Sequence, residues 1–148
     1  MRDGKTIVCL LFLLLVQMQG SWAGIKYWDG AAGDSQWMNP LNWNDNSLPG
    51  AADTVWLDHS LLKGHYQVVL PASEETVHIA ALWIFPQLPD SIEVVLPRAN
   101  TALPGLQADG PGYGLIISAA GKFINSSGIS SGSSILISDS IQIRDGGH

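Results

Sequence analysis

Cysteine is all but missing from this chain. The single one, Cys9, lies in the first twenty-three residues. Small secreted domains often lean on disulfides when their cores are small, and the rest of this chain has none to form. It must hold itself together by burial and backbone hydrogen bonding. Positive charge is scarce as well. From Gly24 onward, Lys26, Lys63, Arg98, Lys122 and Arg144 face twelve acidic residues, a net charge of −7. Such a surface repels phosphate backbones and anionic lipid heads, so neither nucleic acid nor a membrane surface is expected as a partner. Helical patterning is also lacking, since no segment keeps an i, i+3, i+4, i+7 apolar stripe over three turns. Only Ser73 to Ala81 offers a helical alternative, and Thr76-Val77-His78-Ile79 argues against it.

Catalytic signatures are absent too. No G-x-S-x-G nucleophile motif occurs, and the later acids Asp90, Glu93, Asp109, Asp139 and Asp145 are scattered rather than paired. Glu74-Glu75 reads as a solvated turn pair. No catalytic residue and no cofactor are therefore expected. Asn44-Asp45-Asn46 with Asp53, or Asp29 with Asp34, could offer oxygens to Ca²⁺, but neither matches an EF-hand or a glycine-rich calcium repeat. Turn-forming Asx residues are the better reading. His59, His65 and His78 lack zinc-site spacing and read as solvated loop or strand residues. No metal is expected.

What is present begins with an address. Arg2 and Lys5 precede an apolar run from Ile7 to Val16, and Ser21-Trp22-Ala23 places small residues where a signal peptidase reads. The run is too short for a membrane-spanning helix, which needs about 20 residues. Residues 1–23 are expected to be a signal peptide. The product is then secreted, extracellular or held at a cell surface, without insertion into a membrane. About 125 residues remain, enough for one domain with a real core.

That remainder reads as strands. Val68-Val69-Leu70, Val77-His78-Ile79, Leu82-Trp83-Ile84-Phe85, Ile92 to Leu96, Leu115-Ile116-Ile117, Phe123-Ile124, Ile135-Leu136-Ile137 and Ile141-Gln142-Ile143 are short and β-branched, with Gly, Pro, Ser, Asn and Asp between them. Val68-Val69-Leu70-Pro71 recurs as Val94-Val95-Leu96-Pro97, and Leu115-Ile116-Ile117-Ser118 as Ile135-Leu136-Ile137-Ser138. Second short strands, Phe123-Ile124 and Ile141-Gln142-Ile143, follow the last pair. A period near 20 residues with two strands per unit predicts a coiled stack of parallel strands. The fold expected is all-β, a right-handed parallel β-helix (β-solenoid), with an antiparallel β-sandwich or jelly roll as the rival. The serine run from Ser126 to Ser134 reads as a corner between rungs, or alternatively as a flexible linker.

Four of the six tryptophans fall between Trp28 and Trp56. The pattern is W-D-G-x-x-G-D-x-x-W, then Asn42-Trp43, Pro49-Gly50 and Asp53-Thr54-Val55-Trp56-Leu57. It resembles an N-terminal module of large secreted bacterial surface proteins of Bacteroidetes type, where it precedes β-helical or autotransporter-like repeats. The resemblance implies a structural or adhesive, adhesin-like segment. The organisation expected is a signal peptide over 1–23, a Trp-rich N-terminal cap over 24–60 and β-solenoid rungs over 61–148.

In that cap, Trp28, Trp37, Trp43 and Trp56 read as core that plugs one end of the stack. The alternative is that Trp37 and Trp43, in the loop-like part, are exposed platforms for sugar stacking, with extracellular polysaccharide as the ligand. Trp83 reads as buried. The function class is thus a secreted scaffold, or else a carbohydrate-binding or carbohydrate-degrading β-helix whose active part lies beyond this chain. Other surface proteins are further possible partners. At the other end the chain stops just after a strand, at Ile141-Gln142-Ile143, with no polar cap. A truncated repeat array, or end-to-end self-association through an open C-terminal rung, is expected there.

Overall fold

A computed structural model describes residues 23–129, 132–145 and 147. Apart from Ala23, the expected signal peptide lies outside the described residues, as do Ser130 and Ser131 of the serine run. Eleven strands are described: β1 (Ile25–Tyr27), β2 (Thr54–Asp58), β3 (Tyr66–Val69), β4 (Val77–Ile79), β5 (Ala81–Phe85), β6 (Ile92–Leu96), β7 (Leu106–Ala108), β8 (Tyr113–Ile117), β9 (Gly121–Asn125), β10 (Ile135–Ile137) and β11 (Ser140–Ile143). The described helical structure is one 3-10 turn, Pro40–Asn42, with Asn39 as its cap. Residues 73–81 hold β4 and no helix.

Every pairing between these strands is parallel. They form three sheets, ordered β1-β2-β5-β8-β11, β3-β6-β9 and β4-β7-β10. The chain thus coils: β2-β3-β4, β5-β6-β7 and β8-β9-β10 are successive turns, with β1 and β11 adding a strand at either end of the first sheet. This is a β-solenoid, and its parallel pairing excludes the antiparallel sandwich.

The repeat differs from the expected one. Three strands make a turn, not two, and the register spacing is 26 to 33 residues rather than about twenty, as in Val68↔Val94, Val77↔Leu106 and Leu82↔Leu115. The Val68–Pro71 and Val94–Pro97 repeat is a true rung relation. The match of Leu115–Ser118 to Ile135–Ser138 is not, because β8 pairs with β11 whereas β10 pairs with β7. Likewise Phe123-Ile124 of β9 stacks on β6 and not against β11. Turn length varies at the corners. Only Ala80 separates β4 from β5, whereas residues 109–112 separate β7 from β8.

Burial alternates along the strands, with the pattern inward, outward, inward set by the pleat. In β2, Val55 and Leu57 are buried while Thr54, Trp56 and Asp58 are half-buried. Inward side chains then stack in columns, Val55-Leu82-Leu115 and Leu57-Ile84-Ile117 on the first sheet and Val77-Leu106-Ile135 on the third. Each fully buried Val, Leu or Ile contributes about 1.5–3 kcal/mol. Continuous columns thus supply what disulfides do not. Two buried polar residues sit at corners. Asn100 donates from Nδ2 to Pro71 O (2.9 Å) and Glu75 O (3.2 Å) of the previous turn, and accepts Ala102 N–H at Oδ1. His59, 1% exposed, accepts Gln87 N–H at Nδ1 (2.8 Å) and donates from Nε2 to Gly64 O (2.9 Å). It is a buried corner bracket rather than the solvated histidine expected.

The tryptophan segment is continuous with the stack. β1 and β2 belong to the first sheet, and the expected boundary after residue 60 falls within a turn, between β2 and β3. Between them the chain loops across one end. Val69 N–H donates to Ser35 O and Trp37 N–H to Val69 O, pairing this loop with the free edge of β3. Lys26 lies on the inward side of β1 opposite Val55, its stem buried and its ammonium leaving the core to Asp45 and Ser47. At the other end, no described strand covers β11. Ile141 and Ile143 are 55% and 60% exposed, although their register partners Leu115 and Ile117 are buried.

Candidate binding face

The described tryptophans divide into two sets. Trp28, Trp37 and Trp43 are inside: Trp37 is 1% exposed and Trp43 not at all. Trp43 packs edge-on against both neighbours, with ring centroids 5.0 Å from Trp28 and 4.8 Å from Trp37, and its Nε1–H donates to Trp37 O at 2.9 Å. The loop around them is held by its polar residues. Buried Asn42 donates to Asp34 Oδ1 and Gln36 O and accepts Ala32 N–H, while Asp34 Oδ2 takes Asn39. Hydrogen bonds from Asn39, then Gln36 and Asn42, hold the Asp34 carboxyl below its usual range. Lys26 does the same for Asp45. Gly30 turns the chain at positive φ, where a Cβ would sit 2.8 Å from Leu62 Cδ2 and 3.1 Å from Trp28 Nε1.

Trp37 and Trp43, the candidates for sugar stacking, therefore offer no ring face to a ligand. The Asx residues weighed for Ca²⁺ are engaged by N–H groups, as with Asp29 on Ala31, Asp34 on Gln36 and Asp53 on Gly24 and Gly50. Among the described residues, no three His, Cys, Asp or Glu side chains gather as metal ligands.

The second set is outside. Tyr27, Trp56 and Trp83 are register partners on β1, β2 and β5, and form a column on the outer face of the first sheet. All three are half-buried, so Trp56 does not belong to the core and Trp83 is not the buried residue expected. The pleat decides this: Val55 and Leu57, and Leu82 and Ile84, turn inward, which sends each central indole outward. Phe85 lies beside them, 5.5 Å from Trp56, and Arg144 sits 6.0 Å over its ring, within cation–π range. Trp83 Nε1–H donates to Tyr113 O of the next turn (3.0 Å). Exposed Tyr113 and Ile25 extend the apolar surface.

Tyr27 and Trp56 are nearly parallel, 26° apart with centroids separated by 6.3 Å. Tyr27 also lines an open groove of about 410 Å³, together with Asn44, Asp58, Ser60 and Leu61. That volume is within the range of small-ligand sites, ~300–1,000 Å³.

Other polar clusters lie on the second sheet. A depression of about 280 Å³ there is lined by His65, Tyr66, Gln67, Ser91 and Glu93. His65 Nδ1 lies 2.9 Å from Ser91 Oγ, and Asp90 is 3.8 Å from Nε2. The same Nδ1 lone pair accepts Ser91 N–H at 2.9 Å, so it is already occupied and poorly placed to take the hydroxyl proton. Glu93, held below its usual range chiefly by Lys122, belongs to a Gln67-Glu93-Lys122 ladder across three turns. The burial of Tyr66, and secondly the Asp58 charge, pushes its phenol well above the ordinary range, and its hydroxyl donates to Asp58 O. These contacts brace turns. Comparisons with protein-family models, with curated proteins and with solved structures found no match.

Proposed function

We propose that this chain is a structural and adhesive segment of a secreted or cell-surface β-solenoid protein, attaching to its partner through the outer aromatic face of the first sheet. The observation that carries this reading is the Tyr27-Trp56-Trp83 column with Phe85. A sheet face turned to solvent favours polar residues at outward positions. Here successive turns place large rings there, the residue types that dominate binding surfaces. The solenoid suits such a role because equivalent positions repeat at about 4.8 Å per turn, giving a straight contact line. The buried Trp28-Trp37-Trp43 cluster and the bridge of Gln36 to Val69 support the view that residues 24–60 cap the first end. The exposure of Ile141 and Ile143 supports self-association at the other.

Adhesion of beads displaying the full chain to extracellular-matrix and cell-wall preparations tests the reading. Bound beads should fall at least tenfold for the Trp56→Ala, Trp83→Ala double variant while its circular dichroism stays β-rich. Equal adhesion of that variant, or no adhesion by the parent chain, defeats it.

A further inference from the structure

Resting on that reading, we infer that the groove beside Tyr27 is a binding site for an uncharged glycan chain. A sugar ring offers two kinds of surface, an apolar C–H face and a rim of hydroxyls that both donate and accept. The groove has a partner for each. The Tyr27 ring lines the groove, and stacking on Trp56, 26° apart with centroids 6.3 Å apart, holds it in place. A tyrosine ring held this way gives the apolar C–H face of a sugar an aromatic surface to pack on.

The polar lining complements the hydroxyls. Asp58 Oδ1 accepts Ser60 N–H (2.9 Å) and the Ser60 hydroxyl, and among the described residues Oδ2 has no partner. Asn44 Oδ1 accepts Tyr27 N–H at 2.9 Å, and among the described residues nothing accepts its Nδ2 hydrogens. An open carboxylate oxygen and an open amide therefore share the groove with Tyr27, one accepting and the other donating. Exposed Leu61 adds an apolar wall.

Charge complementarity narrows the ligand class. No lysine or arginine lines the groove, a carboxylate does, and the whole chain carries −6. Acidic polysaccharides and other polyanions are repelled from such a site. A peptide adding as a β-strand is also disfavoured at Tyr27. Its N–H and C=O are both taken by Asn44, through Oδ1 and the backbone N–H. An uncharged glycan seated against Tyr27 and Leu61 fits the chemistry best.

Affinity electrophoresis of the full chain through gels containing a neutral β-glucan, a neutral galactomannan or polygalacturonate tests this. Retardation is expected in at least one neutral gel and not in polygalacturonate, with apparent affinity at least tenfold weaker for Tyr27→Ala. Leu61→Arg, at an exposed position where folding is not in question, should block the groove and weaken binding to a similar degree. Retardation in neither neutral gel, retardation only by polygalacturonate, or unchanged binding in both variants overturns the inference. Bead adhesion separates this failure from failure of the adhesive reading. If Trp56 is needed for adhesion but neither neutral polymer competes, the face is adhesive and the glycan site is wrong.

Discussion

Trp43 and Trp56 are thirteen positions apart and belong to opposite worlds. Trp43 sits among Asn42, Asn44, Asp45 and Asn46, in a stretch whose composition says loop and solvent, yet it is fully buried. Trp56 sits inside Thr54-Val55-Trp56-Leu57, whose composition says core, yet its ring faces outward. Local polarity thus misplaces both. In a strand the pleat decides, and neighbours on either side of a central indole compete for the inward positions. In the end loop there is no pleat, and indoles fill whatever space the last sheet residues leave. The polar residues around them do not mark solvent. They satisfy the backbone of a loop folded over a core.

Substitutions that treat the two sets differently would sharpen this contrast. The largest effect is expected for Trp43→Ala, which removes the ring touching both Trp28 and Trp37 and orphans a carbonyl. About 3–5 kcal/mol of stability should be lost, read from denaturant unfolding. Gly30→Ala should cost about 1–3 kcal/mol in the same assay, because it combines a positive φ with contact against Trp28 and Leu62. Trp56→Ala should cost only about 1 kcal/mol, the scale of cross-strand pairs on a half-exposed face. A loss as large as that of Trp43→Ala would break the comparison.

The smallest effect concerns acid. Asp34 and Asp45, which bind the inner loop, have carboxyls held below their usual range. Groups depressed on folding stabilise above the unfolded value and lose that contribution as pH falls through the folded one. The thermal midpoint should therefore decline as pH drops below about 4. Asp34→Asn should flatten that decline, and an unaltered slope would contradict the role given to this carboxylate.

Much of the architecture was legible. Short β-branched runs separated by turn residues marked strands, and the Val68–Pro71 repeat in Val94–Pro97 marked a real rung. The number of strands per turn was not, since an apolar triplet such as Ile135-Leu136-Ile137 looks like Leu115-Ile116-Ile117 whichever sheet it joins. Only the corners distinguish them, and their lengths vary. The outer face was legible in principle: Val55-Trp56-Leu57 and Leu82-Trp83-Ile84 both read inward, outward, inward. Composition drew attention instead to loop tryptophans. The groove could not be read at all, because Asn44 and Asp58 meet only when β1 pairs with β2 and the Trp43 loop folds back. His59 and Asn100 were hidden for the same reason, each needing a partner at least 25 residues away.

The division of the tryptophans from Trp28 to Trp83 into an inner and an outer set is the central claim, and hydroxyl-radical footprinting of the folded chain tests it most directly. With oxidation mapped by mass spectrometry, Trp56 and Trp83 should be modified first, while Trp28, Trp37 and Trp43 stay protected until denaturant unfolds the protein. Modification of Trp37 or Trp43 in the folded chain as fast as Trp56 would contradict the account.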